Sequence, residues 1–144
     1  MGSLRRMICD TIDASYSGVY PVRAVQFFKE YHSEERIMDR SKAGEVWVVE
    51  KEGSIVATGA LVGDEILAVF VKPDNQGRGY GKKIMTELES RGKTKGLSEV
   101  VLSVSLPSRK FYENLQYEVL AERSLDVGEG QHLDYWPGRK TLTS

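Results

Sequence analysis

The sequence predicts an α+β domain, in which layers of helices pack on a mixed and mostly antiparallel sheet. Three β-rich segments follow one another between residues 46 and 71, joined by short turn signals, and this arrangement is typical of an antiparallel meander. A glycine-rich loop, a helical segment and a new β-rich segment come next, an order that predicts a right-handed crossover and one parallel strand pair. The chain has 144 residues, of which 40% are hydrophobic and 28% charged, so we expect residues 1–144 to form a single domain.

The first forty or so residues predict one strand followed by two helices. Arg6 to Ile12 has the character of a short first strand. Pro21 suits the first turn of a helix, and apolar side chains then recur at intervals of three and four residues. These residues are Ala24, Val25, Phe28 and Tyr31. A second helical segment runs from Ser33 to Arg40, and Gly44 ends the helical region.

The middle of the chain predicts the meander. Its strands run from Val46 to Glu50, from Ile55 to Val62 and from Ile66 to Val71. The pairs Glu52-Gly53 and Gly63-Asp64 are the turn signals that join them. Because the connections are so short, we expect neighbouring strands to pair antiparallel.

The second half of the chain predicts the crossover and the end of the sheet. A helix from Tyr80 to Arg91 has one apolar face, and Val100 to Val104 forms the next buried strand. The remaining predicted elements are a short helix from Ser108 to Leu115 and two strands, around Tyr117 to Leu125 and His132 to Leu142. The glycine loop then lies at the carboxyl end of the strand that ends at Val71, which is where ligands prefer to bind an open sheet.

Composition and charge exclude several classes of protein. A net charge of −1 gives no reason to expect binding to nucleic acid or to a membrane surface. Cys9 is the only cysteine and the histidines His32 and His132 are isolated, so we expect neither a disulfide nor a metal site. No apolar stretch of a secretory signal follows Arg5 and Arg6, and no uncharged run is long enough to span a bilayer. The sequence therefore predicts a cytoplasmic protein.

The most informative segment is Gln76-Gly77-Arg78-Gly79-Tyr80-Gly81, which separates a strand from a helix. Glycines at alternate positions remove side chains that would keep an oxygen-rich ligand away from the backbone. The helix that follows turns its unpaired N–H groups toward the same space, and Arg78, Lys82 and Lys83 add positive charge. This pattern predicts a site for phosphate groups.

Other interpretations of the glycines fit less well. A P-loop requires Gly-x-x-x-x-Gly-Lys-Ser/Thr, but Gln76 stands five residues before Gly81 and Lys83 replaces the hydroxyl that would bind magnesium. A dinucleotide fingerprint requires Gly-x-Gly-x-x-Gly, and neither pair of glycines is followed by a third at the right distance. A tight strand-to-helix turn, in which the glycines only relieve backbone strain, remains the structural alternative.

Two motifs resemble the GNAT superfamily of N-acetyltransferases. The family signature Gln/Arg-x-x-Gly-x-Gly/Ala is met by Gln76, Gly79 and Gly81, within a segment from Val71 to Met85 that is similar to the cofactor strand, loop and helix. The segment Phe111-Tyr112-Glu113-Asn114-Leu115-Gln116-Tyr117 is similar to a second family element. The resemblance extends from about Glu45 onward and is only general before it. It implies a GNAT-like central sheet of six to seven strands with helices on both faces.

The resemblance implies acetyl-CoA as the acetyl donor and names the residues that would hold it. The backbone of Val69, Phe70 and Val71 would bind the pantetheine arm like an added strand, with an N–H near Val71 polarising the thioester oxygen. The residues implied to bind the pyrophosphate are Gln76, Gly77, Arg78, Gly79, Tyr80, Gly81 and Lys82. Ser105 stands where many relatives have an asparagine that touches the cofactor, which puts that contact in doubt.

The resemblance also implies two catalytic side chains. Tyr112 is the candidate general acid, since its phenol can donate to the departing thiolate. Glu65, or a water that it orders, is the candidate base that takes a proton from the amine. A packed core tyrosine and a solvated glutamate at the end of a turn are the structural alternatives. Ser103 departs from relatives that place a catalytic glutamate on that strand.

The function implied is transfer of an acetyl group from acetyl-CoA directly to a primary amine. The acceptor stays open between small molecules and peptide or protein amines. In relatives the first helices and the loop between the last strands wall the acceptor site, where acidic side chains would favour a cationic amine. The acidic residues in those regions are Glu34, Glu35, Asp126, Glu129 and Asp134. The alternative is a non-catalytic module that binds acyl-CoA and acts through a partner, and a homodimer is left open because dimers are common among relatives.

Overall fold

The computed structural model describes residues 2–142, which form five α-helices and a sheet of seven β-strands. The helices are α1 (Gly2–Tyr16), α2 (Val22–Tyr31), α3 (Glu34–Ala43), α4 (Tyr80–Thr94) and α5 (Arg109–Asn114). The strands are β1 (Glu45–Lys51), β2 (Ser54–Val62), β3 (Glu65–Val71), β4 (Glu99–Val104), β5 (Glu118–Val119), β6 (Arg123–Gly128) and β7 (Gln131–Thr141). No helix among these residues is long and apolar enough to cross a bilayer.

The predicted first strand from Arg6 to Ile12 is wrong, because this segment lies inside helix α1. The buried side chains of α1 recur at intervals of three and four residues, which is the spacing of one helical face. These residues are Leu4, Met7, Ile8, Thr11 and Ile12. The Thr11 hydroxyl donates to the Met7 carbonyl oxygen at 2.8 Å, so this β-branched residue is accommodated in the helix by an internal hydrogen bond. The segment from Arg6 to Ile12 is shorter than two full turns of helix, so it is too short to show the helical spacing by itself.

The sheet has the strand order β1-β2-β3-β4-β7-β5, and β6 also pairs with β7. Only β3 and β4 pair parallel, so the predicted meander, crossover and mixed sheet are confirmed. The predicted strand from Tyr117 to Leu125 is divided into β5 and β6, which pair with different halves of β7. The division lies opposite Pro137, which accepts a hydrogen bond from Leu120 but has no N–H to continue the ladder.

Helices cover both faces of the sheet, as predicted. Helices α1, α2 and α3 enclose one apolar core, and α4 and α5 enclose a second one on the opposite face. Strand β3 contributes to both, since Phe70 joins the first core and Ile66 the second. Helix α4 lies so close to β2 that a Cβ atom at Gly59 would be 2.6 Å from Ile84 Cγ2. The start of α4 is therefore held firmly against the middle of the sheet.

A bulge in β3 creates the opening that the site uses. One extra residue of β3 is inserted between the pairs Thr58–Phe70 and Ala60–Leu67, and Ala68 there has a φ of 57°. On the other side of β3, the parallel pairing with β4 is limited to Glu65 and Val101. The two strands therefore separate toward their carboxyl ends.

Glu45 ties the start of β1 to the end of α4, and its loss should destabilise the fold. Its carboxylate accepts from Arg91 Nε at 2.9 Å and lies 3.1 Å from Lys95 Nζ, and these cations lower the pKa of Glu45 from 4.5 to about 2. The lowered pKa means that the contribution is complete above about pH 4.5 and is lost as pH falls toward 2. We expect Glu45→Gln to reduce the free energy of unfolding by about 0.5–1 kcal/mol at pH 7.

Urea denaturation between pH 7 and pH 3 measures this contribution. The matched control is Glu50→Gln on the same strand, an exposed residue without an ion pair among residues 2–142. The difference between Glu45→Gln and the unmodified protein should shrink as the pH falls. A difference that is independent of pH would contradict the assignment.

Candidate active site

The separation of β3 and β4 opens a cleft with two adjoining cavities. The first, of ≈ 500 Å³, lies between the glycine loop, the end of β3 and the start of α5, and is called the loop cavity below. The second, of ≈ 250 Å³, lies between α2, the start of β3 and the β6–β7 hairpin, and is called the aromatic cavity. Residues common to both walls are Tyr16, Val69, Phe70, Ser108 and Tyr112. The two cavities therefore form one continuous cleft.

The loop cavity collects nine of the ten residues that the sequence predicts to bind the cofactor. They are Val69, Phe70, Val71, Gln76, Gly77, Gly79, Tyr80, Gly81 and Lys82. Arg78, the tenth, is exposed and is not part of the wall. A contact of Arg78 with the cofactor therefore stays a prediction.

The glycine loop presents bare backbone amides to the loop cavity. Gly77 and Gly79 have φ values of 78° and 86°, which side chains other than glycine rarely adopt. The first hydrogen bond of α4 runs from Lys83 N–H to the Gly79 carbonyl at 3.0 Å. The N–H groups of Tyr80, Gly81 and Lys82 thus have no acceptor within the helix, and they lie at its positive end. This arrangement suits an anion.

The edge of β3 that faces away from β2 offers a further donor. Lys72 N–H donates to Val56 on β2, so the backbone groups of Val71, one residue earlier, point to the opposite edge. There β4 has already separated, and no ladder bond reaches Val71. The Gln76 amide donates to the Val71 carbonyl at 3.0 Å, which fixes the loop on the strand end. The Val71 N–H is therefore directed into the cleft.

Tyr112 stands where the two cavities meet. The residue is 94% buried, and its ring makes edge contacts with Phe111 and Tyr117 at centroid distances of 5.1 and 5.7 Å. Among residues 2–142, every fully buried side-chain N or O atom has a hydrogen-bond partner. The Tyr112 hydroxyl makes no hydrogen bond within these residues. The hydroxyl is thus not fully buried, and it belongs to a residue that lines both cavities. Burial raises the pKa of the phenol well above 10.0, so it stays protonated at neutral pH.

A chain of hydroxyl groups beside Tyr112 was not predicted from the sequence. Tyr16 lies at the end of α1, and its hydroxyl is 3.1 Å from the Ser105 hydroxyl. The Ser105 hydroxyl is in turn 2.7 Å from the Ser108 hydroxyl. Tyr16 is close enough to Tyr112 to add to the rise of its pKa. The helical spacing in α1 was the signal that could have placed Tyr16 here. Ser105, whose contact with the cofactor was doubted, belongs to this chain.

Glu65 lies in the wall of the aromatic cavity and does not reach the wall of the loop cavity. Burial raises the pKa of its carboxyl above 4.5, the charge of Asp64 raises it further, and Arg40 opposes both effects. Ser103 lies in the same wall. The structure therefore places the candidate base in the aromatic cavity, away from the glycine loop, and its role stays a prediction.

The remaining wall of the aromatic cavity is uncharged. His32 is 4% exposed, and its Nδ1 accepts from Arg40 Nη1 at 2.9 Å, which assigns the hydrogen to Nε2. Burial and the Arg40 charge lower the pKa of His32 to about 3, so the ring is neutral and is not a base at pH 7. Helix α2 and the β6–β7 hairpin do wall this cavity. However, the acidic residues considered from the sequence lie outside the walls of both cavities: Glu34, Glu35, Asp126, Glu129 and Asp134.

Comparison with known proteins agrees with this geometry. The model of the acetyltransferase (GNAT) domain family matches residues 42–119, just over half of the chain. The probable N-acetyltransferase 14 of Danio rerio is 31% identical over 111 residues, covering 70% of this chain but only 39% of that protein. The chain thus spans well under two thirds of that relative.

Solved structures share the fold. A GCN5-related N-acetyltransferase from Rhodopseudomonas palustris superposes with a TM-score of 0.88 at 18% identity, covering 98% of this chain and 89% of the other. The PaiA N-acetyltransferase of Thermoplasma acidophilum, solved in complex with coenzyme A, superposes with a TM-score of 0.72 at 19% identity, covering 97% and 91%. On the family match and the fold together, the chain belongs to the GNAT acetyltransferase family.

Proposed function

We propose that the protein transfers the acetyl group of acetyl-CoA directly to a primary amine. The observation that carries the proposal is the meeting of the two cavities at Tyr112, because it gives an acyl donor and an amine separate places on either side of one phenol. The loop cavity has the features that a pyrophosphate needs, and a family member with this fold was solved with coenzyme A.

The residues of the loop cavity fit acetyl-CoA. The amides of Tyr80, Gly81 and Lys82 would hold the pyrophosphate, since they lack acceptors within the helix. The open edge of β3 at Val69 and Val71 would hold the pantetheine arm by backbone hydrogen bonds. Acetyl-CoA supplies an activated acyl group with a thiolate as the leaving group. The Val71 N–H would then donate to the thioester oxygen, where negative charge develops.

The reaction needs two proton transfers, and each candidate side chain carries out one of them. A primary ammonium has a pKa near 10.4, so it must lose a proton before its nitrogen can attack, and Glu65 or a water that it orders takes this proton. The nitrogen lone pair forms the new C–N bond while the C–S bond breaks. Tyr112 gives its proton to the sulfur, and the surplus proton of the new amide nitrogen restores the phenol. The products are the amide and the free thiol, and the proton held by Glu65 leaves to solvent.

The alternative proposal is a module that binds acyl-CoA without turnover. It would use the same loop cavity but would have no need of an aromatic cavity beside an unpaired phenol. The Tyr112 hydroxyl has no hydrogen-bond partner in the described part of the chain, and Glu65 is half-buried in the cavity wall, so both residues favour the enzyme. Release of free thiol from acetyl-CoA in the presence of amines separates the two proposals.

The binding half of the proposal predicts that acetyl-CoA raises the melting temperature and that Gly79→Ala abolishes most of this effect. A methyl group at Gly79 would lie in the bend that faces the phosphates, so we expect the Kd for acetyl-CoA to rise at least about tenfold, which corresponds to about 1.4 kcal/mol. Thermal shift at increasing ligand concentrations gives both quantities. A melting temperature of the unmodified protein that does not respond to acetyl-CoA would overturn the proposed function.

Gly53→Ala is the matched control for this experiment. Gly53 has a φ of 80° and open space around its Cβ position, as Gly79 does with a φ of 86°, but it lies in the β1–β2 turn. The two substitutions therefore impose similar backbone strain, about 1–2 kcal/mol. Only Gly79→Ala should weaken the response to acetyl-CoA. An equal loss in both variants would show that the effect is one of stability alone.

A further inference from the structure

The walls of the aromatic cavity indicate which amine it accepts. Resting on the proposed transferase function, we propose that the acceptor is a small primary amine with one positive charge and an apolar or aromatic body. Its body would lie among the rings of the aromatic cavity, with its nitrogen toward Glu65 and Tyr112. Polyamines, aminoglycosides and extended basic peptides are excluded as good acceptors by this proposal.

The first observation is the apolar character of the cavity. Rings enter it from several elements of the fold, and leucine side chains close the side formed by the β6–β7 hairpin. The rings include Phe27, Phe28, Tyr31, Phe70, Tyr112 and Tyr135. Several of them hold each other in place, since Phe27 stacks on Tyr31 at 5.9 Å and Phe28 meets Tyr16 edge-on at 4.6 Å. A ready-made apolar space of this kind favours a ligand with a matching body.

The second observation is the single negative charge. Glu65 is the only carboxylate in the wall of the aromatic cavity, as far as residues 2–142 are concerned. His32 is neutral. Arg40 lies outside the cavity wall and donates to the Tyr31 carbonyl at 2.6 Å and to His32. Its charge acts on Glu65 from there. The cavity wall therefore offers one carboxylate, that of Glu65, to one ammonium group. A second ammonium on the same molecule would enter an apolar space without an anion, which is strongly unfavourable.

The third observation is the size of the cavity. Its volume of ≈ 250 Å³ is below the range of roughly 300–1,000 Å³ typical for drug-sized ligands. This space suits a single ring or a short alkyl chain with its amine. An aminoglycoside or several residues of a peptide would have to leave most of their volume outside it.

The test compares amines that differ in charge and in body. Purified protein with acetyl-CoA is assayed for thiol release, and the products are identified by mass, with 2-phenylethylamine, hexylamine, spermidine, kanamycin and a short lysine peptide as acceptors. We expect kcat/KM for 2-phenylethylamine to exceed that for spermidine at least tenfold. Transfer to spermidine, kanamycin or the peptide in preference to both apolar amines would overturn the inference and leave the transferase standing. Binding of acetyl-CoA with no transfer to any acceptor would overturn the inference and support the binding module, and failure to bind acetyl-CoA would overturn the proposed function itself.

A pair of variants connects the preference to the cavity. Leu125 lines the aromatic cavity and is 39% exposed, so Leu125→Glu adds a carboxylate at its rim without opening the core. We expect kcat/KM for 2-phenylethylamine to fall about tenfold. The ratio of kcat/KM for 2-phenylethylamine to kcat/KM for spermidine should fall by more than about tenfold, because the added carboxylate favours a second ammonium group. Leu120→Glu is the control, because Leu120 is 36% exposed and lies in neither cavity wall. Equal ratios in both variants would overturn the assignment of the aromatic cavity to the acceptor.

Discussion

Tyr112→Phe should lower kcat about 100-fold while leaving the Kd for acetyl-CoA within twofold of the unmodified protein. The substitution removes only the hydroxyl, and general acid catalysis contributes roughly 10²–10⁴-fold to rates of this kind. The hydroxyl makes no hydrogen bond within residues 2–142, so its loss leaves no buried group unpaired. Thiol release under saturating acceptor measures kcat, and calorimetric titration measures the Kd.

Tyr117→Phe is the control for that substitution. Tyr117 is also a buried tyrosine, its ring packs on Tyr112, and its hydroxyl donates to Glu89 at 2.8 Å, outside both cavities. Its loss should reduce stability and leave kcat within a few-fold. A Tyr112→Phe variant with the same kcat as Tyr117→Phe would remove Tyr112 from the mechanism and make it a packing residue of the core.

The parts of this molecule that sequence reasoning predicts well are those determined by neighbouring residues. The glycine loop needs only Gly77, Gly79 and the helix that follows, because a positive φ and unpaired amides are local properties. The meander is equally local, since its turns are short and each strand pairs with the next one along the chain. These features were predicted within a few residues of their observed bounds.

Features that depend on distant residues were missed. The bulge at Ala68 and the early end of the β3–β4 pairing make the cleft, and nothing in the spacing of apolar residues indicates either one. The aromatic cavity draws Phe28 from α2 and Tyr135 from β7 to the same wall, and such contacts depend on the tertiary fold. The position of Tyr16 was missed for another reason: α1 was predicted as a strand, which hid the face on which this residue lies. The aromatic cavity was therefore the least predictable part of the molecule.

Glu65→Gln should lower kcat/KM for a primary amine about 100-fold at pH 7, if Glu65 accepts the proton of the ammonium group. The amide has nearly the shape of the carboxylate but cannot take a proton at neutral pH. In the unmodified protein, kcat/KM should fall as the pH drops through the Glu65 pKa, because the base must be ionised to act. Burial and Asp64 raise that pKa, so this fall should begin above pH 4.5, and it should be absent in Glu65→Gln. The measurement is kcat/KM from about pH 4 to pH 9 for both proteins.

Asp64→Asn distinguishes a base at Glu65 from a base elsewhere in the cleft. The charge of Asp64 raises the pKa of Glu65, so its removal should lower this pKa and move the acid limb of kcat/KM to lower pH without changing the plateau. Arg40 acts in the opposite direction, but it also binds His32 and the Tyr31 carbonyl, so its replacement would disturb the cavity as well. If the fall of kcat/KM at low pH does not move in Asp64→Asn and persists in Glu65→Gln, another group removes the proton. A limb that moves in the first variant and disappears in the second requires the titrating group to be Glu65, because Asp64 lies outside both cavity walls and acts only through its charge.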